Sequence, residues 1–347
     1  MRVAGWTGWG VGSIRVAESM RLAFAAGMLF LVGCTSGGGG GGTAGPLAPG
    51  GTSGKIEAVA TVGMVADLVR NVGGEHVEVT QIMGPGVDPH LYKPNRDDVL
   101  TLSRAAIVFY NGLMLEGKMA DTLAKIGGSK KVVAVTEGID RSQLLEPEDA
   151  PGHFDPHVWM DVAAWSRGVD VVAETLAEFD PPHADDYRRN AAAYRDRLAE
   201  LHEYGRTAID SIPADRRVLI TSHDAFNYFG RAYGLEVLGV QGLSTESESG
   251  LQRVNELVDL LVQRKIAAVF VESSVPRKNI DALIEGAKSR GQDVVVGGLL
   301  YSDAMGPAGS YEGTYVGMLD HNITTVARAL GGQSPQSGFR GDLPSSE

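Results

Sequence analysis

A single cysteine, Cys34, stands among 347 residues. No internal disulfide can form from it, and no cysteine-built zinc site is available to the chain. Positive charge is also in short supply. Against 31 Lys and Arg there are 43 Asp and Glu, for a net charge of −12. That balance argues against a nucleic-acid partner, which needs clustered cations to meet phosphates. Long apolar runs are missing near the start of the chain: the stretch 22–32 is too short to span a bilayer comfortably. Histidine is sparse, eight in all. None falls in an H-E-x-x-H pattern, so a histidine metal site has to be assembled from distant segments. What remains is an ordinary globular balance, 43% hydrophobic and 21% charged, enough for one large core or two medium ones.

The position of Cys34 says more than its number. Arg21 precedes the apolar stretch, which closes on Leu31-Val32-Gly33-Cys34. A charged n-region, a short h-region and a small residue before the cut form the layout of a secretory signal. The last four residues resemble the lipobox of bacterial lipoproteins, in which the cysteine is acylated and becomes the new N-terminus. An ordinary signal peptide with an incidental cysteine, or a short membrane helix, is the alternative. Glu18 is out of place in an n-region, which sets Met20 beside Met1 as a translation start. Residues 1–33 are therefore expected to be a lipoprotein signal peptide. Residues 34–54 are expected to be lipidated Cys34 and a Gly-rich tether, because Gly, Ser, Thr and Pro cannot bury apolar surface. A tether behind a lipid anchor implies a soluble domain held extracytoplasmically at the cell membrane.

From Lys55 onward, short Val- and Ile-rich runs alternate with amphipathic helical stretches. The expected strands are 56–60, 77–82, 106–110 and 131–135, then 217–221, 236–240, 267–271 and 293–297. They do not alternate apolar with polar residues, as suits parallel strands buried on both faces. Four strands, a gap and four more predict an α/β fold of two Rossmann-like lobes, each with a four-stranded parallel sheet. The gap is itself helical. One helix over 162–179 stops at Asp180-Pro181-Pro182, and a second over 183–212 stops near Pro213. At 1.5 Å per residue the second runs about 45 Å, long enough to bridge both lobes as a rigid backbone with little hinge motion. The divisions that follow are an N-terminal lobe over 55–182, the backbone helix over 183–212, a C-terminal lobe over 213–332 and a disordered tail over 333–347.

Chemistry concentrates in a repeated tripeptide. Asp88-Pro89-His90 and Asp155-Pro156-His157 share one order. Proline fixes its own φ and pushes the preceding Asp toward an extended conformation, so each histidine leaves a stiff, non-helical segment. The Asp orients the loop or accepts a ring N–H, as carboxylates do behind metal-bound imidazoles. His90, His223 and Asp303 all lie beyond the carboxyl ends of expected strands, where open α/β sheets place their ligands. Two facing lobes then bring His90 and His157 from the first, and His223 and Asp303 from the second, into one cleft. On pattern alone, Thr221-Ser222-His223-Asp224 also reads as a helix N-terminus capped by Ser222 or Asp224, and Ser302-Asp303 as the start of a turn. His76, His183, His202 and His321 read as solvated. His153 reads as a surface residue, with an accessory role at the site as the alternative.

Several ordered stretches together resemble the zinc/manganese solute-binding proteins of ABC importers, the TroA-like and ZnuA-like family. They are Gly86-Val87-Asp88-Pro89-His90-Leu91-Tyr92-Lys93-Pro94, Asp155-Pro156-His157-Val158-Trp159-Met160-Asp161 and Thr221-Ser222-His223-Asp224-Ala225-Phe226. Further on come Gln241-Gly242-Leu243-Ser244-Thr245-Glu246, Phe270-Val271-Glu272-Ser273-Ser274-Val275 and Tyr301-Ser302-Asp303-Ala304-Met305-Gly306. The likeness runs from about Lys55 to Gly332. It implies a metal at the lobe interface, His90, His157, His223 and Asp303 as the four ligands, and delivery to a membrane permease. It also implies one ion per chain, Zn²⁺ or Mn²⁺, and a chain acting as a monomer. Manganese-selective relatives often carry a carboxylate where this chain has His223, which leans toward zinc. Zinc-specific relatives often carry a long His- and acid-rich loop before the second ligand, and here 138–154 is short, with only His153.

A four-ligand set leaves no coordination position for a water nucleophile, which separates holding a metal from using it. The expected function is metal capture without catalysis. The competing readings are a zinc hydrolase with Glu246, Glu248 or Glu272 as base, and a surface adhesin. Imidazoles bind metal only when neutral, so acidification below their ordinary pKa of about 6.5 is expected to weaken binding.

Overall fold

A computed structural model of the chain describes residues 54–147 and 151–344. The expected signal peptide, Cys34 and all of the tether but Gly54 lie outside the described residues. In the first lobe β1 (Ile56–Ala60), β2 (Val77–Gln81), β3 (Ile107–Tyr110) and β4 (Lys131–Ala134) form one parallel sheet in the order β2-β1-β3-β4. Helix α1 (Gly63–Gly73) crosses from β1 to β2 and is buried along most of its length. It is covered by the sheet, by α4 (Val162–Phe179) and by α5 (Ala184–Asp210). Helices α2 (Arg96–Arg104) and α3 (Ala120–Gly127) complete this lobe. Asn95 and Asp98 close the start of α2 with a reciprocal capping box, which satisfies backbone donors that the first turn leaves open.

Helix α5 has 27 residues, about 40 Å of rod. Tyr187, Ala191, Tyr194, Leu198, Leu201, Gly205, Ala208 and Ile209 form its buried face, at the three- and four-residue spacing of one helical stripe. That stripe packs on α1 and α4 of the first lobe and on helices of the second. At Gly205 a methyl group would stand 2.8 Å from the Tyr233 ring and 3.0 Å from Ile323. Only glycine lets the rod approach the second lobe this closely.

The second lobe contains β5 (Val218–Thr221), α6 (Asn227–Tyr233), β6 (Glu236–Gly239), α7 (Leu251–Arg264), β7 (Ala268–Glu272), α8 (Lys278–Ser289), β8 (Val295–Leu300) and α9 (Tyr315–Ala329). Its strands are parallel, as expected. The ladders form two pairs, β5 with β6 and β7 with β8, and β5 lies beside β7 without a ladder between them. At the end of β5 the N–H of His223 donates to the Glu272 carboxylate at 2.8 Å, where a continuous sheet would use a backbone carbonyl. β8 also runs later than its expected span. A bulge skips Gly297 and pairs Phe270 with Gly298, carrying the strand on to Leu300. Asp303 thus follows its strand by three residues.

The expected disordered tail is corrected through residue 344. Phe339 and Leu343 are buried. The Phe339 N–H donates to Asp320 Oδ1 at 2.8 Å, and the Phe339 ring packs on Tyr204 of α5. Polar composition hid one aromatic anchor. The cores do not divide by lobe either. The larger cluster runs from the first sheet through α4 and α5 into α6 and α9, and a smaller one fills the space among β5, β7, α7 and α8. A core shared across the rod stiffens the relation between the lobes, because close-packed interiors resist deformation.

Candidate metal centre

Each of the four expected side chains is placed by its own local device. His90 lies in the loop after β2, where its backbone N–H donates to Asp88 Oδ1 at 2.9 Å. At His157 the same turn is tighter: Asp155 Oδ1 accepts the backbone N–H at 2.9 Å and stands 2.7 Å from the ring Nδ1. The ring partner expected from the tripeptide is therefore present at His157. At His90 the carboxylate takes only the backbone. Asp155 is itself held from the second lobe, by Tyr228 Oη donating to its carbonyl at 3.0 Å and Asn227 Nδ2 to its Oδ2 at 3.2 Å. His223 leaves the end of β5 with Nδ1 2.5 Å from Glu272 Oε2. Asp303 follows β8, whose exit is fixed by Asn322 bonding both the N–H and the carbonyl of Tyr301.

The structure brings His90, His157, His223 and Asp303 together, all four buried, with one ligand atom from each within 4.8 Å of every other. His90 Nε2 and His157 Nε2 are 3.3 Å apart. Asp303 Oδ1 is 3.5 Å from His157 Nε2, and Oδ2 is 3.7 Å from His90 Nε2 and 3.2 Å from His223 Nε2. Donors about 2.1 Å from one small ion stand about 3.4 Å apart along the edges of a tetrahedron. His223 Nε2 and both Asp303 oxygens are buried without a hydrogen-bond partner. Buried polar atoms left so are costly, and a cation at their common centre satisfies all of them at once. Nδ1 of His157 and of His223 each face a carboxylate. That partnership puts a ring proton on Nδ1 and leaves Nε2 as the nitrogen that faces the centre.

Electrostatics follow from burial and charge. Burial is the main cause that holds His90 down to about 4. At His223 burial opposes the charged ring, but Glu272 and Asp303 outweigh it and hold the imidazole well above its ordinary range. Burial alone would raise Asp303. The three imidazoles, His223 foremost, hold it well below the usual carboxylate range instead.

The remaining histidines stay apart from the cluster. His153 is exposed. His76 and His183, expected to be solvated, instead stack with ring centroids 3.9 Å apart, and Asp186 and Asp180 hold one ring nitrogen of each. His202 packs on Tyr233, and His321 Nε2 lies 2.9 Å from the Leu299 carbonyl. Of the three glutamates considered as a base, Glu246 is exposed and pairs with Lys118 at 2.7 Å. Glu248 is exposed. Glu272 spends both oxygens on His223. Its role as orienter was not legible from composition; its place at the end of β7, next to the end of β5, was the available signal. Replacing Glu272 by glutamine is expected to lower ion affinity roughly 10- to 100-fold, the usual cost of losing a carboxylate behind a ligating imidazole. A titration against a chelating dye measures it, and unchanged affinity would deny Glu272 that role.

Two α/β lobes clasping a closed cluster of three imidazoles and a carboxylate have the architecture of a binding protein, with a group between the lobes that could hold a cation. Residues 58–329 match the family described as zinc-uptake complex component A, periplasmic, and the chain belongs to that family. It is 50% identical over 276 residues to the manganese-binding lipoprotein MntA of Bacillus subtilis, covering 80% of this chain and 90% of that protein. It is 49% identical over 277 residues to the zinc-binding protein TroA of Treponema pallidum, covering 80% and 89%. The solved structure of the periplasmic zinc-binding protein TroA from Treponema pallidum superposes with a TM-score of 0.78, covering 80% of this chain and 99% of that one. Other relatives are named as substrate-binding lipoproteins of metal ABC transporters, so the family carries substrate-binding components of importers.

Proposed function

We propose that this chain captures one divalent transition metal outside the cytoplasm through His90, His157, His223 and Asp303, and delivers it to the permease of an ABC importer. The observation that carries the reading is the buried cluster of three Nε2 atoms and one carboxylate at tetrahedral-edge spacing, in which His223 Nε2 and both Asp303 oxygens have no hydrogen-bond partner. Three neutral nitrogens and one carboxylate suit Zn²⁺ and also accept Mn²⁺. At a site of fixed geometry the general order of affinities puts Zn²⁺ ahead. Every ligand comes from the same chain, which supports a working monomer. Cys34 is proposed as the lipidated anchor, in keeping with the lipoprotein names of the relatives. Catalysis is disfavoured by the chemistry of the site: four ligands close the coordination sphere, and Glu272 has no free oxygen for a water.

The test begins with the chain stripped by a chelator and then reloaded with Zn²⁺ or Mn²⁺. Elemental analysis is expected to return about one ion per chain for a closed four-ligand site. An ion present at a thousand times its dissociation constant adds about 4 kcal/mol, which at this chain length raises the melting temperature by roughly 6 °C. A chain that takes up neither ion and melts unchanged overturns the proposal.

A further inference from the structure

The four donors are not held alike. His157 and Asp303 are locked to each other across the lobes: Trp159 Nε1 donates to the Ser302 carbonyl at 2.9 Å, and Tyr315 Oη to the Trp159 carbonyl at 2.7 Å. Asn227 and Tyr228 reach Asp155 from the same side. His223 is fixed through its ring and its backbone by Glu272. These three donors form a rigid half-site.

His90 stands outside that frame. It sits on a segment with no helix or strand between β2 and α2, running through Gly84-Pro85-Gly86, with Gly86 at φ +72. It is 5% exposed, against 0% for His157 and His223 and 1% for Asp303, so its side of the cluster faces the solvent most closely. Among the described residues, the hydrogen bonding of 84–95 to the second lobe reduces to one contact, Thr245 Oγ1 donating to Asp88 Oδ2 at 2.5 Å. The other oxygen of that carboxylate accepts the N–H of His90. One side chain therefore links the irregular loop after β6 to the backbone of a ligand. Beside it, Lys118 and Glu246 form a second clasp at 2.7 Å, but both are exposed, and water and salt screen such pairs.

We infer that the ion enters and leaves on the His90 side, and that the Thr245–Asp88 hydrogen bond is the latch setting its rate of release. This deepens the metal-capture reading and rests on it. A hydroxyl donating to a carboxylate, here the half-buried one of Asp88, is among the stronger hydrogen bonds. While it holds, His90 stays on the rigid half-site. When it opens, Asp88 and His90 swing away together on the Gly-Pro-Gly segment, and the remaining three donors release the ion.

The experiment is release of Zn²⁺ from the full, loaded chain into excess chelator, followed by stopped flow. Thr245→Val removes the hydroxyl at nearly constant shape and is expected to speed release about ten-fold, the effect of losing a hydrogen bond to a charged group. Thr245→Ser restores the hydroxyl and is expected to bring release back to within about two-fold of the parent. Lys118→Met is expected to change it less than about three-fold, as an exposed pair should. The ion-free melting temperature of each variant reports on the fold; if Thr245→Val does not fold, Thr245→Ala in the same assay takes its place. A parent that binds one ion while the variant without the hydroxyl releases it at the parental rate overturns the latch and leaves metal capture standing. Serine as fast as valine overturns it equally. A parent that binds no ion overturns both.

Discussion

Replacing His157 by alanine is expected to empty the centre, with ion content after dialysis falling from about one per chain to background. His157 is fully buried, and its Nε2 faces both His90 and Asp303. Truncation removes a donor from the middle of the cluster and strips Asp155 of its ring partner inside the protein. Two penalties add: a coordination bond is lost, and a buried carboxylate is left less well satisfied. The loss should exceed the roughly 10- to 100-fold that follows removal of a supporting carboxylate, and the rise in melting temperature on loading should vanish. His153→Ala is the companion control, because His153 is exposed and absent from the cluster, and it is expected to keep full ion content. Elemental analysis of both variants decides the matter. A His157→Ala chain that retains the parental content would remove the ligand assignment.

Ion affinity is also expected to rise steeply with pH across neutrality. In the ion-free protein Glu272 and Asp303 keep a proton on His223 above the ordinary imidazole range. An ion needs that nitrogen bare, so loading expels the proton. The ion-free form then holds more protons than the loaded form, and linkage makes the binding constant grow by about ten-fold per pH unit for each proton expelled. His90 does not oppose the ion in that range, since burial keeps it neutral until about pH 4; below that its own proton also competes and the fall steepens. Competition titrations from mildly alkaline to acid pH measure the slope. Calorimetry in two buffers of different ionisation heat counts the proton directly, with about one released per ion near neutrality. A binding constant that does not change with pH contradicts His223 as a ligand. This sharpens the expectation drawn from free imidazole, which placed the onset of weakening near 6.5.

Much of the fold was legible because it rests on local rules. β1 and α4 fall on their expected bounds. Val- and Ile-rich runs favour strand, although the edge strands β2, β6 and β8 are more exposed than expected, and Asp180-Pro181-Pro182 cannot continue a helix. The errors have equally local causes. β8 ran past Gly297-Gly298 because pairing with β7 overrode the glycines. The tail to residue 344 was structured because Phe339 found a pocket on α5 and Asp320 a backbone donor, and a single aromatic carries no periodicity. His76 and His183, 107 positions apart in number, stacked for a reason that no window along the chain contains.

The same division runs through the centre. The sequence by itself determined which side chains were competent to hold a metal, and the stiff turn that presents each tripeptide histidine, because residue type and proline geometry are local properties. Only the tertiary structure decided that four potential donors meet at one point, that Glu272 and Asp155 each face the Nδ1 of one imidazole, and that Thr245 donates to Asp88. Those depend on atoms distant along the chain being brought within hydrogen-bond reach by packing, and chain order does not encode that distance.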